Sequence, residues 1–186
     1  MVRPDYVSHY TKYSMEPELA IAHYKLGQLS SDMIVNLANT WLDQGIYTYS
    51  LNCIFMCDHP IMAEVGPLFE EAMRELGLEI PTRIDAVKSL LRDTMQKMVS
   101  GEIDLMEGAN FIAWNIYPEV EEDLPKGEYL GSNLGLEYIF CWLREVWDCR
   151  DGSTIFYYTH LPRDQAEIQF LRHIKEECEK WLVKHA

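Results

Sequence analysis

Several features are absent from this sequence, and each absence removes a class of function. No run approaches the roughly 20 apolar residues that a membrane-spanning helix needs. The longest apolar stretches, 109–116 and 134–143, are short and interrupted by polar side chains. The start, Met1-Val2-Arg3-Pro4-Asp5-Tyr6, has no apolar core behind a basic segment, so no signal peptide is expected. Basic side chains are scarce, 16 Lys and Arg against 30 Asp and Glu, giving a net charge of -14 over 186 residues. A polyanion repels such a surface, and no Lys/Arg stripe offsets the excess, so nucleic acid is not an expected partner. No Gly-rich loop is present to cradle phosphates, and no His-Glu-x-x-His or Glu-x-x-His pattern to hold a metal. No nucleophile elbow occurs either.

Cysteines are few and odd in number: Cys53, Cys57, Cys141, Cys149 and Cys178. Most sit among apolar neighbours, as reduced, buried thiols of a cytoplasmic protein do. Cys53-x3-Cys57-x-His59 is the nearest approach to a metal motif. Zinc takes four N or S ligands, and no second Cys/His pair completes the set. Neither a metal nor a cofactor is therefore expected.

The hydrophobic share is 48% and the aromatic share 12%, enough for a real core. The patterning is helical and predicts a mainly α, single-domain bundle of about eight helices arranged as αα-hairpins over 1–186. Pro17 suits the first turn of a helix ending near Gly27. Ser30 or Ser31 caps a second, whose stripe is Ile34, Leu37, Ala38, Trp41 and Leu42. Gly45 ends it, with Ile46 placed to cover Trp41. Further helices are expected over about 47–57 and 61–76, with Pro67 near a helix start. Another, capped by Thr82, carries the stripe Ile84, Val87, Leu91, Met95 and Met98. Asp104, three residues before Glu107, opens a sixth that reaches about Tyr117.

Ser132 or Asn133 starts a seventh helix, with Leu136, Ile139, Phe140, Leu143, Val146 and Trp147 inward. Pro162 opens the last, with Ile168, Leu171, Ile174, Cys178 and Trp181 inward and His173 toward solvent. Between them, 153–159 is rich in Thr, Ile, Phe and Tyr and reads as a minor β element. An N-terminal arm, 1–15, contributes Tyr6, His9, Tyr10 and Tyr13. The region around Tyr6–Tyr10, or the loop near Tyr129, is the expected partner of that strand.

The charge is not spread evenly. Residues 101–137 hold one basic and nine acidic side chains, a local net charge of -8. The centre is Glu119, Glu121, Glu122 and Asp123, set between Pro118 and Pro125 and therefore in a loop over about 118–131. Glu128 adds to it, and Tyr117 and Tyr129 bracket it. Aromatic rings beside charge are common at protein interfaces. These seven residues are the candidate partner-binding set, and a basic protein is the expected partner. In size, acidity and helical content the chain resembles bacterial immunity proteins that neutralise cationic nuclease-type toxins. That likeness rests on general character and on no residue motif, so it transfers no site residue.

Two other functions fit the sequence. One is an enzyme or small-ligand domain with a pocket at the junction before the last helix. There His160 stands near Arg163 and Asp164, a placement suited to acid–base chemistry or to anion binding. The other is a helical scaffold or adaptor that binds through an apolar groove.

Overall fold

The computed structural model describes residues 15–185, and its architecture is all helical, with 68% of the chain in helices. Tyr6, His9, Tyr10 and Tyr13 of the expected arm lie outside the described residues. Contacts group the described residues into two compact units, divided between Leu90 and Leu91.

The first unit begins with α1 (Pro17–Lys25), α2 (Ser31–Asp43) and α3 (Tyr49–Phe55), followed by α4 (Met62–Glu75). The Ser30 hydroxyl accepts from the Met33 N–H and starts α2. At its other end Gly45 takes φ +83°, the left-handed region that glycine enters without strain. This lets the Gly45 N–H reach Leu42 O at 3.0 Å and the Ile46 N–H reach Trp41 O at 2.9 Å. Those two bonds make the Schellman end expected from the Gly45-Ile46 pair. Thr48 caps α3 by accepting from the Leu51 N–H at 3.0 Å. From α4, Glu75 accepts from both the N–H and the hydroxyl of Ser50, each at 3.1 Å. The Ser50 N–H holds the Glu75 carboxyl below its ordinary value.

Pro67 falls inside α4 rather than in its first turn, because that helix begins at Met62. The core is built around fully buried Trp41, whose ring lies 6.2 Å from Phe69 and whose indole N–H donates to Met15 O at 2.7 Å. Tyr24 also packs on Phe69 and donates its hydroxyl to Glu70 at 2.9 Å. Burial, reinforced by that carboxylate, pushes the Tyr24 phenol up to about 12.

α5 (Arg83–Ser100) carries the unit boundary between Leu90 and Leu91, and Thr82 caps it by accepting from the Asp85 N–H. The second unit continues with α6 (Leu105–Phe111), α7 (Glu137–Asp151) and α8 (Arg163–Lys184). Asp104 accepts from the N–H groups of Met106 and Glu107, so the expected cap is present. The helix it opens does not stay α-helical to Tyr117. It widens into a π-helical turn over Ile112–Ile116 and then tightens into a 3₁₀ turn, Tyr117–Glu119. The wide turn buries Ile112 and Ile116 and leaves Trp114 exposed. α7 starts later than expected, after a separate 3₁₀ turn at Ser132–Leu134.

α7 and α8 form the main helix pair of this unit and run antiparallel. Arg163 at the start of α8 donates to Asp148 O and Gly152 O at the end of α7. Trp181 near the end of α8 donates to Leu134 O just before α7. The buried face of α8 is Ala166, Phe170, Ile174, Cys178 and Trp181. Ile168, expected inward, is 65% exposed, because the inward face advances mainly in four-residue steps from Ala166. His173, expected toward solvent, is half-buried. Its ring stacks near Trp142 and Tyr158 and bonds to the Tyr158 hydroxyl at 2.6 Å and to Glu176 at 3.0 Å. The bond to His173 holds the Glu176 carboxyl below its ordinary range.

The β element expected at 153–159 does not form, and no strand occurs among the described residues. A buried carboxylate takes the place of a partner strand. Glu145 of α7 has no exposed surface, and it accepts from the Phe156 N–H at 2.8 Å and the Tyr157 N–H at 3.5 Å. Ser153 N–H goes to the Asp151 side chain, and Tyr158 takes φ +52°, which breaks any extended run. The Ile and Tyr side chains that suggested a strand serve packing instead: Ile155 is buried, Tyr157 meets Trp142 edge-on, and Tyr158 meets Phe170.

These contacts set expectations for stability and reactivity. Glu145→Ala leaves the Phe156 N–H without its acceptor and is expected to lower unfolding free energy in urea by about 1–3 kcal/mol. Glu145→Gln, which keeps an acceptor oxygen, is expected to cost less, and amide hydrogen exchange at Phe156 should rise only in the Ala variant. Burial also pushes the Cys178 thiol up to about 12. Cys178 should therefore resist iodoacetamide in the folded protein at mildly alkaline pH and react in urea, as peptide mass spectrometry would show.

Candidate functional site

The second unit holds an open groove of about 940 Å³. One wall comes from the π turn and the 3₁₀ turn after it, with Ala113, Trp114 and Tyr117. A second comes from the loop that carries Glu128, Tyr129, Leu130 and Ser132. α7 supplies Glu137, Tyr138, Phe140, Cys141, Leu143, Arg144 and Trp147, and Tyr157 closes the edge. Seven of these side chains are aromatic, and two are carboxylates.

Local hydrogen bonding fixes the loop wall. The Ser132 hydroxyl donates to Tyr129 O at 2.8 Å and accepts from the Tyr129 N–H at 3.4 Å, closing a tight turn. Asn133 donates to Pro125 O at 3.3 Å. Gly131 sits at φ +80° and donates its N–H to the Tyr117 hydroxyl at 3.3 Å. A Cβ at this position would stand 2.7 Å from the Phe140 ring, closer than side-chain carbons approach one another. Glycine is needed here for its backbone angle and for the space. The turn leaves Tyr129 and Leu130 exposed at 65% and 60%.

The opposite wall is a pair of indoles. Trp114 and Trp147 lie with ring centroids 5.7 Å apart and planes 23° from parallel, and Trp147 donates to Asn110 at 3.2 Å. Tyr117 meets Phe140 edge-on at 5.2 Å. Phe140 and Trp147, expected in the buried stripe of the seventh helix, are half-buried and line the groove.

The polar groups are unequal. Arg144 pairs with buried Glu145 at 3.2 Å and lies over the Phe156 ring at 5.5 Å, so its charge is locally compensated. Glu137, the first residue of α7, is different. Its Oε2 atom is buried and meets no hydrogen-bond donor among the described residues. Cys141 is half-buried, and desolvation raises its thiol above the ordinary value.

Of the seven residues expected to meet a partner, Tyr117, Glu128 and Tyr129 line this groove. Glu119 lies in the 3₁₀ turn and is partly covered, whereas Glu121, Glu122 and Asp123 are exposed on the next turn of the chain. The alternative set is arranged differently. Arg163 spends its guanidinium on the carbonyls that end α7, while His160 and Asp164 are exposed and none of the three lines the groove. Among the described residues no cluster of three or more His, Cys, Asp or Glu side chains is placed to hold a metal ion. All five cysteines are free. No helix among the described residues is long and apolar enough to cross a membrane.

Sequence reasoning missed Trp114, Tyr138, Arg144 and Glu137 as groove residues. A signal was present in the dense aromatic content of 114–147, but a helical wheel assigns such rings to a core.

The chain matches no protein-family model, no curated protein and no solved structure.

The loop wall is open to a direct check. Gly131→Ala combines an unfavourable φ with a contact against Phe140, and should destabilise the protein by about 1–3 kcal/mol in a denaturant titration. Phe140→Leu in the Gly131→Ala background should recover part of that loss, because it relieves the contact with the ring and leaves the backbone strain and the 3.0 Å approach to the Leu136 Cβ.

Proposed function

We propose that this chain is a non-catalytic, acidic binding domain for a basic protein partner, acting in a reducing, cytoplasmic setting. The observation that supports this most directly is the adjacency in sequence and fold of two features. The aromatic groove shares Tyr117, Glu128 and Tyr129 with the segment that carries the local charge of -8. Aromatic rings give contact area at low entropic cost. Exposed carboxylates at 121–123 draw a cationic surface from a distance, over a range of about 8–10 Å at ordinary ionic strength. Inhibition of a cationic toxin, as immunity-type proteins perform it, is one function of this kind. Free thiols throughout fit a reducing compartment.

The test compares the wild-type chain with the triple variant Glu119→Lys, Glu121→Lys, Glu122→Lys, each immobilised and exposed to lysate from the source at low and high salt. A basic protein retained by the wild type, released by salt and not retained by the variant is the expected result. The isolated partner should then associate about ten times more slowly with the variant at low salt, with the melting temperature little changed. Equal association kinetics for both chains would overturn this reading.

A further inference from the structure

The groove's chemistry specifies more than a basic partner, although the narrower assignment rests on the proposed role as a binding domain. A cation-binding pocket lined by rings alone accepts any soft cation, including a quaternary ammonium with no N–H to give. This groove adds a carboxylate oxygen, Glu137 Oε2, that is buried and meets no donor among the described residues. An unsatisfied buried acceptor is costly, and the cost is removed when a bound group supplies an N–H. Glu137 lines the groove, and a change of its side-chain rotamer brings that oxygen to a bound donor. Glu128 offers a second carboxylate at the rim. The indoles of Trp114 and Trp147 stack on each other, which leaves their outer faces and the exposed ring of Tyr129 as flat surfaces.

The cation that fits flat rings and an acceptor at once is planar and carries several donors. Guanidinium stacks on aromatic faces and binds carboxylates through a fixed fork, whereas ammonium is compact and more strongly hydrated. Arg144, the one cation lining the groove among the described residues, is held by Glu145 and Phe156 and does not occupy this role. We infer that the groove is a receptor for an arginine side chain of the partner protein, stacked on Trp114, Trp147 or Tyr129 and hydrogen-bonded to Glu137.

The probe is a short capped peptide, acetyl-Gly-Arg-Gly-amide, titrated into the full chain while the five Trp indole N–H signals are followed by NMR. The Trp114 and Trp147 signals should shift saturably, while Trp41, in the other unit, stays in place. The same peptide with citrulline, which is planar but uncharged, should bind at least about tenfold more weakly. The lysine peptide should also be weaker, and tetramethylammonium weaker still. Glu137→Gln should weaken the arginine peptide about tenfold. Tyr129→Ala, at an exposed site that the fold does not need, should weaken it as well, and keeps the test valid if the Glu137 variant folds poorly. No saturable shift with the wild type, equal binding of the citrulline or lysine peptide, or unchanged affinity in both variants would overturn the inference. If the arginine peptide fails but salt-sensitive capture by the acidic loop persists, the binding-domain reading stands and this assignment of the groove falls.

Discussion

A carboxylate with no exposed surface must find its donors inside the protein, and in the second unit much depends on where Glu145 finds them. It takes the Phe156 and Tyr157 N–H groups on one oxygen and the Arg144 guanidinium on the other. The first pair of bonds ends any tendency of 153–159 to seek a partner strand and holds that segment against α7. With the segment in place, Tyr157 reaches Trp142 and the groove edge, and Tyr158 reaches His173 on α8. Arg163 then ties the start of α8 to the end of α7. A hydrogen bond to a charged acceptor is worth more than a neutral one, so one buried carboxylate can substitute for the ladder of a short edge strand.

The same wiring explains which parts of the fold were legible in the sequence. Local signals carried well. Ser30, Thr82 and Asp104 cap helices as their spacing indicated, and Gly45 with Ile46 closes α2 over Trp41. Each of these is decided within a few residues. The failures all involve partners remote in sequence or a choice between near-equal geometries. Ile155, Phe156 and Tyr157 have the composition of a strand, and nothing near them announces that an acid on the preceding helix will take the N–H groups of Phe156 and Tyr157. In α8, steps of three and four residues back from Ile174 reach both Leu171 and Phe170. Only packing against α7 selects the face with Phe170 and Ala166 and leaves Ile168 outside.

The site was legible in part for the same reason. Tyr117, Glu128 and Tyr129 stand next to a visible acidic, proline-bounded run, and composition alone drew attention to them. Trp114 was hidden because Ile112-Ala-Trp-Asn-Ile116 reads as an ordinary helix. The π turn there leaves no mark on the hydrophobic pattern, and Trp114 lies exposed between buried Ile112 and Ile116. Glu137 was hidden because the helix was expected to start at Ser132 or Asn133, which places Glu137 beyond its first turn as an ordinary surface acid. Only the absence of a donor around its buried oxygen marks it as something more.

In the proposed recognition the acidic turn and the groove would act over different distances, which separates their contributions. Exposed charges at 121–123 would meet an approaching cation before contact and be weakened by salt, so they would govern encounter. A stacked ring and a hydrogen bond to Glu137 would act only after desolvation, so they would govern how long such a complex lasts. Arg144 would oppose both if its charge stood free beside Glu137 and Glu128. Its pairing with Glu145 reduces that opposition, because the carboxylate offsets part of the guanidinium's field. The carboxylate that takes the N–H groups of Phe156 and Tyr157 therefore also offsets the one cation that lines the groove among the described residues, and the fold and the proposed recognition share a single buried charge.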